Sequence, residues 1–394
     1  MIKKPIDKIE KADIESLIST REGERKTLDY KLQLPPSQPP EAKREFLYDV
    51  CSFANADGGD IVFGIADQRD SAGKPTGMPA SAEGLALENL SSEILRMENS
   101  VRDGINPRIA GIEWQPITGF PAGPVLVMRI PRSWIGPHMV TSGGVSRFYS
   151  RNSAGKYPLN VEEIRSAFLA SSAIGETLRR FRFERIAKAI ENDLPLSLGE
   201  GAKILLHLVP LSALDPTTVR DVVTGSRDLQ LRMEPMSGPG SWSRRYNFDG
   251  LMTFPSGIAS YVQLFRSGVI EAAEGDFFKW TQDGKSIPTT ALEDAIVKAV
   301  ERYLRLQKEL GISLPIALLL TLIGVKGFVL NVPHRYFVFS KIGVDRNVLP
   351  IPEVMVQSYE LSEPEMLRPV FDALWQSGGF ERSFSYDDNG EWTR

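Results

Sequence analysis

Cysteine is almost missing from this chain of 394 residues: Cys51 stands alone, so no intramolecular disulfide can form and no cysteine-based zinc or iron–sulfur centre can be built. Such usage fits a reducing cytoplasm. Histidine is nearly as scarce. His138, His207 and His334 lie far apart with no HxxxH or HExxH spacing, which argues against a histidine metal site and against a Ser-His-Asp triad. Long apolar runs are absent too. The most apolar stretch, Leu310 to Val325, is interrupted by Gly311, Ser313, Pro315, Thr321 and Gly324. It falls short of the roughly 20 residues a membrane helix needs, so it reads as buried core and no membrane partner is expected. The segment from Met1 to Asp7 has no apolar h-region and does not read as a signal peptide. Charge of one sign is not in excess either, with 46 Lys+Arg against 50 Asp+Glu. A net charge of −4 lacks the basic footprint of a protein that coats nucleic acid by bulk attraction, and leaves only local patches open.

What is present suits a folded, multidomain protein. Hydrophobic residues make up 42% and charged residues 24%, close to the globular average. The length suggests two or three domains. Alternating helix and strand signals predict an α+β protein: a first domain over residues 1–172, a linking basic helix over 173–200, and a second mixed domain over 201–394 with a mobile polar tail from about Ser377.

Ile9, Ile14 and Leu17 predict a short helix that leads into the first core element. Lys26 to Leu34 alternates as a half-buried strand, with Asp29 and Lys31 on its polar face. A helix with Phe46, Val50, Phe53 and Ala54 on one face follows, ends near Asn55 and exits through Gly58-Gly59. Asp60 to Asp67 is apolar on both faces and predicts a central strand closed by Asp67, with a loop from Gln68 to about Ala82. A helix over Leu85–Val101, strands over 108–116 and 125–131, and a helix capped by Asn160 complete the domain. In the second domain the spacing predicts a helix near 198–206 and strands within 250–272. It also predicts a helix with a Thr290/Glu293 capping box that ends before Gly311.

Glu24, Asp29, Lys31 and Asp67 form the sharpest chemical constellation. Three carboxylates converging on one point would repel, and a Mg²⁺ or Mn²⁺ bound through oxygen would relieve them. A nearby Lys31 suits a phosphate. Together these parts read as metal-dependent nuclease chemistry, in which the cation activates water and Lys31 offsets charge on the transition state. The bland alternatives are a solvated strand face for Asp29 and Lys31, a turn residue for Asp67, and one charge in a charged run for Glu24 and Lys26.

Across these residues the sequence resembles the Schlafen-type AlbA-like domain family. The matching pattern is Glu24, the Asp29-Tyr30-Lys31 strand, a helix ending Ala54-Asn55-Ala56-Asp57-Gly58-Gly59, and Gly64-Ile65-Ala66-Asp67. Gly73, Gly77, Pro137-His138 and Arg147 to Arg151 extend it. The resemblance implies catalytic and metal-ligating roles for Glu24, Asp29 and Asp67, with Lys31 beside them, and cleavage of structured RNA such as transfer RNA. The second acid of the family pattern is usually Glu and here is Asp29, one methylene shorter. The resemblance also implies RNA in preference to DNA as partner and a possible homodimer. Asn55, Gly58 and Gly59 are then the structural turn.

Lys26, Arg147, Tyr149, Arg151, Arg179 and Arg180 are the candidate nucleic-acid contacts, the last two on a basic helix that carries Phe181 and Phe183. Packing of that helix at a domain junction is the competing reading. A non-catalytic binding protein, in regulation or phage defence, is the main alternative to the ribonuclease. A nucleotide-binding protein using the Gly58-Gly59 turn is a weaker one. Gly284-Lys285-Ser286 looks like the end of a phosphate loop, but Lys279 stands where its first glycine belongs, so a Walker-type ATPase is rejected.

Overall fold

A computed structural model of the protein describes residues 1–2, 4–144, 146–214, 232–237, 240–280, 285–332, 342–360, 362–387 and 389–393. Gly284 and His334 lie outside these residues. The chain divides into two compact units, Met1–Ala173 and Ile174–Arg394, each mixing helices with sheets in an α+β architecture.

In chain order the first unit holds α1 (Lys11–Ser19), β1 (Leu28–Lys31), α2 (Pro40–Ala54), β2 (Gly59–Phe63), β3 (Ile65–Arg69) and β4 (Pro75–Ala82). Then come α3 (Leu90–Gly104), β5 (Ile105–Asn106), β6 (Glu113–Phe120), β7 (Gly123–Ile130), β8 (Met139–Val140), β9 (Arg147–Asn152) and β10 (Gly155–Pro158). β1, β2, β7 and β6 form a sheet in that order, with β1 parallel to β2 and the other pairs antiparallel. Alternation along β2 sends Ile61 and Phe63 to a core with Phe46, Val50 and Phe53 of α2. Val62 goes to the opposite core, with Ile14 and Leu17 of α1. Both faces are therefore covered, and α1 closes one of them.

Three local expectations are corrected here. The strand from Asp60 to Asp67 is split, because Gly64 takes φ +94° and turns the chain out of the sheet. β3 instead pairs with β4 in a separate hairpin, so Asp67 lies opposite Pro79 and does not end the central strand. The segment after Gln68 is accordingly a strand pair where a loop was expected. Downstream, α4 (Val161–Ile190) is one helix where two segments were expected, since no proline interrupts it. Its start is capped reciprocally: Glu163 N donates to Asn160 Oδ1 at 2.9 Å and Asn160 N to Glu163 Oε2 at 2.8 Å.

The second unit contains β11 (Lys203–Pro210), β12 (Ser243–Tyr246), β13 (Gly250–Phe254), β14 (Ser260–Phe265), β15 (Ile270–Glu274), β16 (Ser286–Ile287) and α5 (Thr289–Glu309). It continues with β17 (Ile316–Ile323), β18 (Val329–Leu330), β19 (Val348–Pro350), β20 (Val354–Val356) and α6 (Glu363–Gln376). Among the described residues, its main sheet runs β12-β13-β14-β15-β11-β17-β19 through antiparallel pairs, and β20 also pairs with β17. β11 replaces the helix expected near 198–206. Every residue of β11 is buried, so its apolar run carries no period to separate strand from helix. β17, within the Leu310–Val325 stretch, is likewise buried core. Among the described residues no helix is long and apolar enough to cross a membrane.

Buried charge fixes the C-terminal half of α4 to this sheet. Arg185 Nε and Nη2 each donate to the Glu271 carboxylate at 2.6 Å, His207 Nε2 contacts it at 2.8 Å, and Tyr261 Oη donates at 2.7 Å. Arg182 donates to Thr321 Oγ1 and to the carbonyls of Leu320 and Ile351.

The tail from Ser377 is a further correction. Ser383 and Ser385 are fully buried, and Phe380, Phe384 and Trp392 pack against the core. Their anchor is Glu293 of α5, which accepts from Trp375 Nε1 at 2.8 Å, Ser383 Oγ at 2.7 Å and Ser385 Oγ. Glu293 is thus a buried acceptor, and α5 starts at Thr289 with Pro288 at its N-cap, one residue before the expected Thr290 cap.

Candidate functional site

Register decides where the charges of β1 go. Asp29 and Lys31 pair with Ile61 and Phe63, the residues of β2 that face α2, so the polar side of β1 lies under α2 and β9. Asp29 is 4% exposed as a result, and the solvated-face reading does not hold for it. Lys31 Nζ sits 3.2 Å from Asp29 Oδ1 and 3.8 Å from Asp49 Oδ2. Burial lowers the lysine pKa, but Asp49 and Asp29 outweigh it and hold the ammonium charged.

Glu24 enters the same cluster from the loop before β1. Its backbone N donates to Gly77 O at 2.7 Å, and its Oε1 accepts from Tyr30 N at 3.2 Å. The carboxyl meets that of Asp29. Partial burial and then the hydrogen bond and charge of Asp29 push the Glu24 pKa up to about 7.

Asp49 of α2 was not singled out from sequence. It lies on the apolar face of the helix among Phe46, Val50 and Phe53, and a carboxylate at that spacing needs a partner. It has two, Lys31 and Lys156, the latter with Nζ 2.8 Å from Asp49 Oδ1 and 2.7 Å from Glu45 Oε2. Burial raises the Asp49 pKa against the pull of both lysines.

Arg151 of β9 completes the cluster. Its guanidinium lies over the Phe53 ring at 3.6 Å from the centroid, with Nη1 3.8 Å from Asp29 Oδ2. Nε and Nη1 are buried without a hydrogen-bond acceptor. Desolvation lowers the Arg151 pKa, although Asp29 and Asp49 oppose the shift. A cleft of about 360 Å³ reaches this group, lined by Glu24, Gly77 and Met78 on one side and Arg151 to Gly155 on the other.

Asp67 joins through Gly77 and makes no direct contact with the acid pair. Asp67 Oδ2 accepts from Gly77 N at 3.4 Å, and its Oδ1 is buried without a partner. Among the described residues, no three His, Cys, Asp or Glu side chains are gathered closely enough to hold a metal ion. The donor set does fit a Mg²⁺ or Mn²⁺ held by the two carboxylates of Glu24 and Asp29 with its other positions on water or phosphate, an ordinary arrangement for Mg²⁺.

Residues 24–160 match the Schlafen AlbA_2 family. This segment is a Schlafen AlbA_2 domain. Two solved structures are similar in part. One is the DIP2311 protein from Corynebacterium diphtheriae, at 18% identity over 38% of this chain and 26% of that one, with a TM-score of 0.25. The other is the N-terminal domain of a putative ATP-dependent DNA helicase RecG-related protein from Nitrosomonas europaea, at 16% identity over 35% of this chain and 84% of that one, with a TM-score of 0.27. This chain thus spans about a quarter of the first and most of the second. No curated protein matches it.

The Schlafen AlbA_2 domain takes in the whole cluster from Glu24 to Lys156 and excludes Arg179 and Arg180. Both arginines are exposed on α4, whereas Arg182 and Arg185 of the same basic run are buried. Within the domain, Lys26 is paired with Asp57 at 2.7 Å and Arg147 is exposed at the start of β9. Tyr149 stacks on Tyr48 with centroids 4.2 Å apart. Arg147, Tyr149 and Arg151 therefore share the face of β9 that covers α2, with Arg147 exposed at one end and Arg151 buried at the other.

The turn residues hold the domain together. Asn55 Nδ2 donates to the carbonyls of His138 at 2.8 Å and Tyr149 at 2.9 Å, while its Oδ1 accepts from His138 N at 2.7 Å. Gly58 has φ +70°, and a Cβ there would lie 2.5 Å from Arg132 N. At Gly59 a Cβ would lie 2.4 Å from the Phe53 ring. This turn is filled by protein and leaves no cradle for a nucleotide phosphate.

Proposed function

We propose that the Schlafen AlbA_2 domain acts on nucleic acid as a hydrolase of phosphodiesters, with structured RNA such as transfer RNA as its preferred substrate. The family match supports the nucleic-acid role. The observation that carries the finer reading is the Glu24–Asp29 carboxyl pair beside a buried guanidinium with unfilled donors. Glu24 and Asp29 would hold a divalent cation, which would supply a Lewis acid for activating water. Arg151 and Lys31 would bind phosphate oxygens and offset the negative charge that grows in the transition state. Asp67 orients Gly77, which in turn holds the Glu24 backbone. In this reading the protein works in the reducing cytoplasm.

A specific observation favours a second reading, binding without cleavage. Lys31 and Arg151 already neutralise Asp29, so the cleft presents cationic donors to a phosphate before any metal is added.

End-labelled transfer RNA and single- and double-stranded DNA, incubated with the full chain and Mg²⁺ or Mn²⁺, test both. Discrete cleavage that EDTA, Asp29→Asn and Glu24→Gln each abolish, and that Asp67→Ala reduces, is the expected result. Bound but intact nucleic acid under all conditions would remove the hydrolase and leave the binding domain.

A further inference from the structure

In the second unit, Phe248 is 95% exposed and Tyr246, two residues before it, is 58% exposed. Both stand at the tip of the β12–β13 hairpin. The turn itself uses neither ring. Asn247 closes it: its N donates to Gly250 O at 2.9 Å, its Oδ1 accepts from Gly250 N at 2.9 Å, and its Nδ2 donates to Gln263 Oε1 at 2.6 Å. Phe248 is thus an aromatic ring held in water by a tied-down turn, with almost no burial to offset its exposure.

The surroundings are cationic. Arg266 Nε donates to the Phe248 backbone carbonyl at 3.2 Å, which holds its guanidinium at the turn. Arg244 alternates with Arg245 along β12 and so shares a strand face with Tyr246. Arg245, on the other face, donates to Pro195 O at 2.6 Å and lies over Phe254. Asp249 is the acid in the turn.

We propose that this hairpin tip binds single-stranded nucleic acid, with Phe248 and Tyr246 stacking on bases and Arg244 and Arg266 meeting phosphates. Exposed aromatics interleaved with arginines on a rigid hairpin match a stacking platform on a polyanion. A duplex hides its base faces, so the tip selects unpaired nucleotides. Because β12 is the edge strand of its sheet, its arginines also discourage strand pairing with another chain, but edge protection requires charge and no exposed ring. The inference rests on the reading that this chain handles nucleic acid, and it assigns a second contact to the second unit.

The test is fluorescence anisotropy of the full chain with a labelled oligouridine of about 15 nucleotides and with a duplex of the same length. Phe248→Ala is expected to weaken oligouridine binding at least about fivefold and to leave duplex binding and the melting temperature unchanged. Phe248→Trp is expected to restore binding, with indole fluorescence quenched by the oligonucleotide. Oligouridine binding unchanged by Phe248→Ala but weakened by Arg151→Lys would overturn the hairpin site and leave the cleft. Wild-type protein that binds neither oligonucleotide would remove both readings. Sedimentation with phosphatidylserine vesicles that Phe248→Ala abolishes, with oligouridine binding unaltered, would assign the tip to a membrane surface and also overturn the proposal.

Discussion

The guanidinium of Arg151 touches the Phe53 ring at 3.6 Å and Asp29 Oδ2 at 3.8 Å, so one side chain joins the apolar core of α2 to the charged cleft. Lysine cannot replace it, because an ammonium neither stacks flat on a ring nor presents a fork of donors. Arg151→Lys is expected to weaken nucleic-acid binding about tenfold while leaving the salt slope, which counts charges, nearly unchanged. Titrations at several salt concentrations check both quantities.

Glu24 makes the cleft sensitive to pH. Its pKa is raised to about 7, so the carboxyl is neutral below that value and charged above it. Its contribution to stability has the same sign: present in full below the ordinary carboxylate range and lost as pH rises through about 7. Without divalent cation, nucleic-acid affinity is expected to fall between pH 6 and pH 8, beyond any change seen in Glu24→Gln. Added Mg²⁺ should reverse the trend, because the deprotonated pair is the better ligand. Anisotropy across that range with EDTA or Mg²⁺ separates the cases.

Asn55 ties α2 to the segments at His138 and Tyr149 through the amide contacts described above. Asn55→Ala leaves those backbone groups without their partner and is expected to cost about 2–4 kcal/mol, at roughly 1 kcal/mol or more per lost bond. Chemical denaturation measures the loss. Amide exchange should quicken at His138, whose N–H donates to Asn55, and a uniform loss of protection would instead point to global destabilisation.

Glu271 is a fully buried carboxylate of the second unit. Burial raises its pKa, but His207 and Arg185 hold it well below the usual carboxylate range. Its stabilising effect is therefore complete above the ordinary value and is lost as pH falls through the lower folded one. Arg185→Met strands the carboxylate and is expected to cost about 3–5 kcal/mol at neutral pH. Urea unfolding at neutral pH tests the cost, and a flatter acid limb in Glu271→Gln tests the sign.

The sequence reading caught the helix face of α2, the two-sided burial of β2 and the turn at Asn55 to Gly59, all of which are local patterns. It missed β11, because a strand buried on both faces has no period. It also misjudged Asp29: alternation tells which residues share a face but not whether another layer covers it, and here β9 arrives from more than a hundred residues downstream. Gly64 was read as part of a strand for the same reason, since only its φ reveals the exit from the sheet. Asp49 carried a usable signal, a carboxylate at an apolar helical position, and Arg151 and Lys156 supplied its surroundings from afar.

Glu293 and Ser385 are separated by 92 residues, yet the hydroxyl belongs to the hydrogen-bond shell of a carboxylate at the start of α5. During synthesis that carboxylate meets two of its hydroxyl donors only after the segment from Ser383 to Ser385 has left the ribosome. Until then α5 carries a charge that favours water over the apolar face it will occupy. Completion of the second unit is thereby coupled to synthesis of the Ser383–Ser385 segment, and a nascent form stalled before Ser383 would be a natural client for chaperones and proteases.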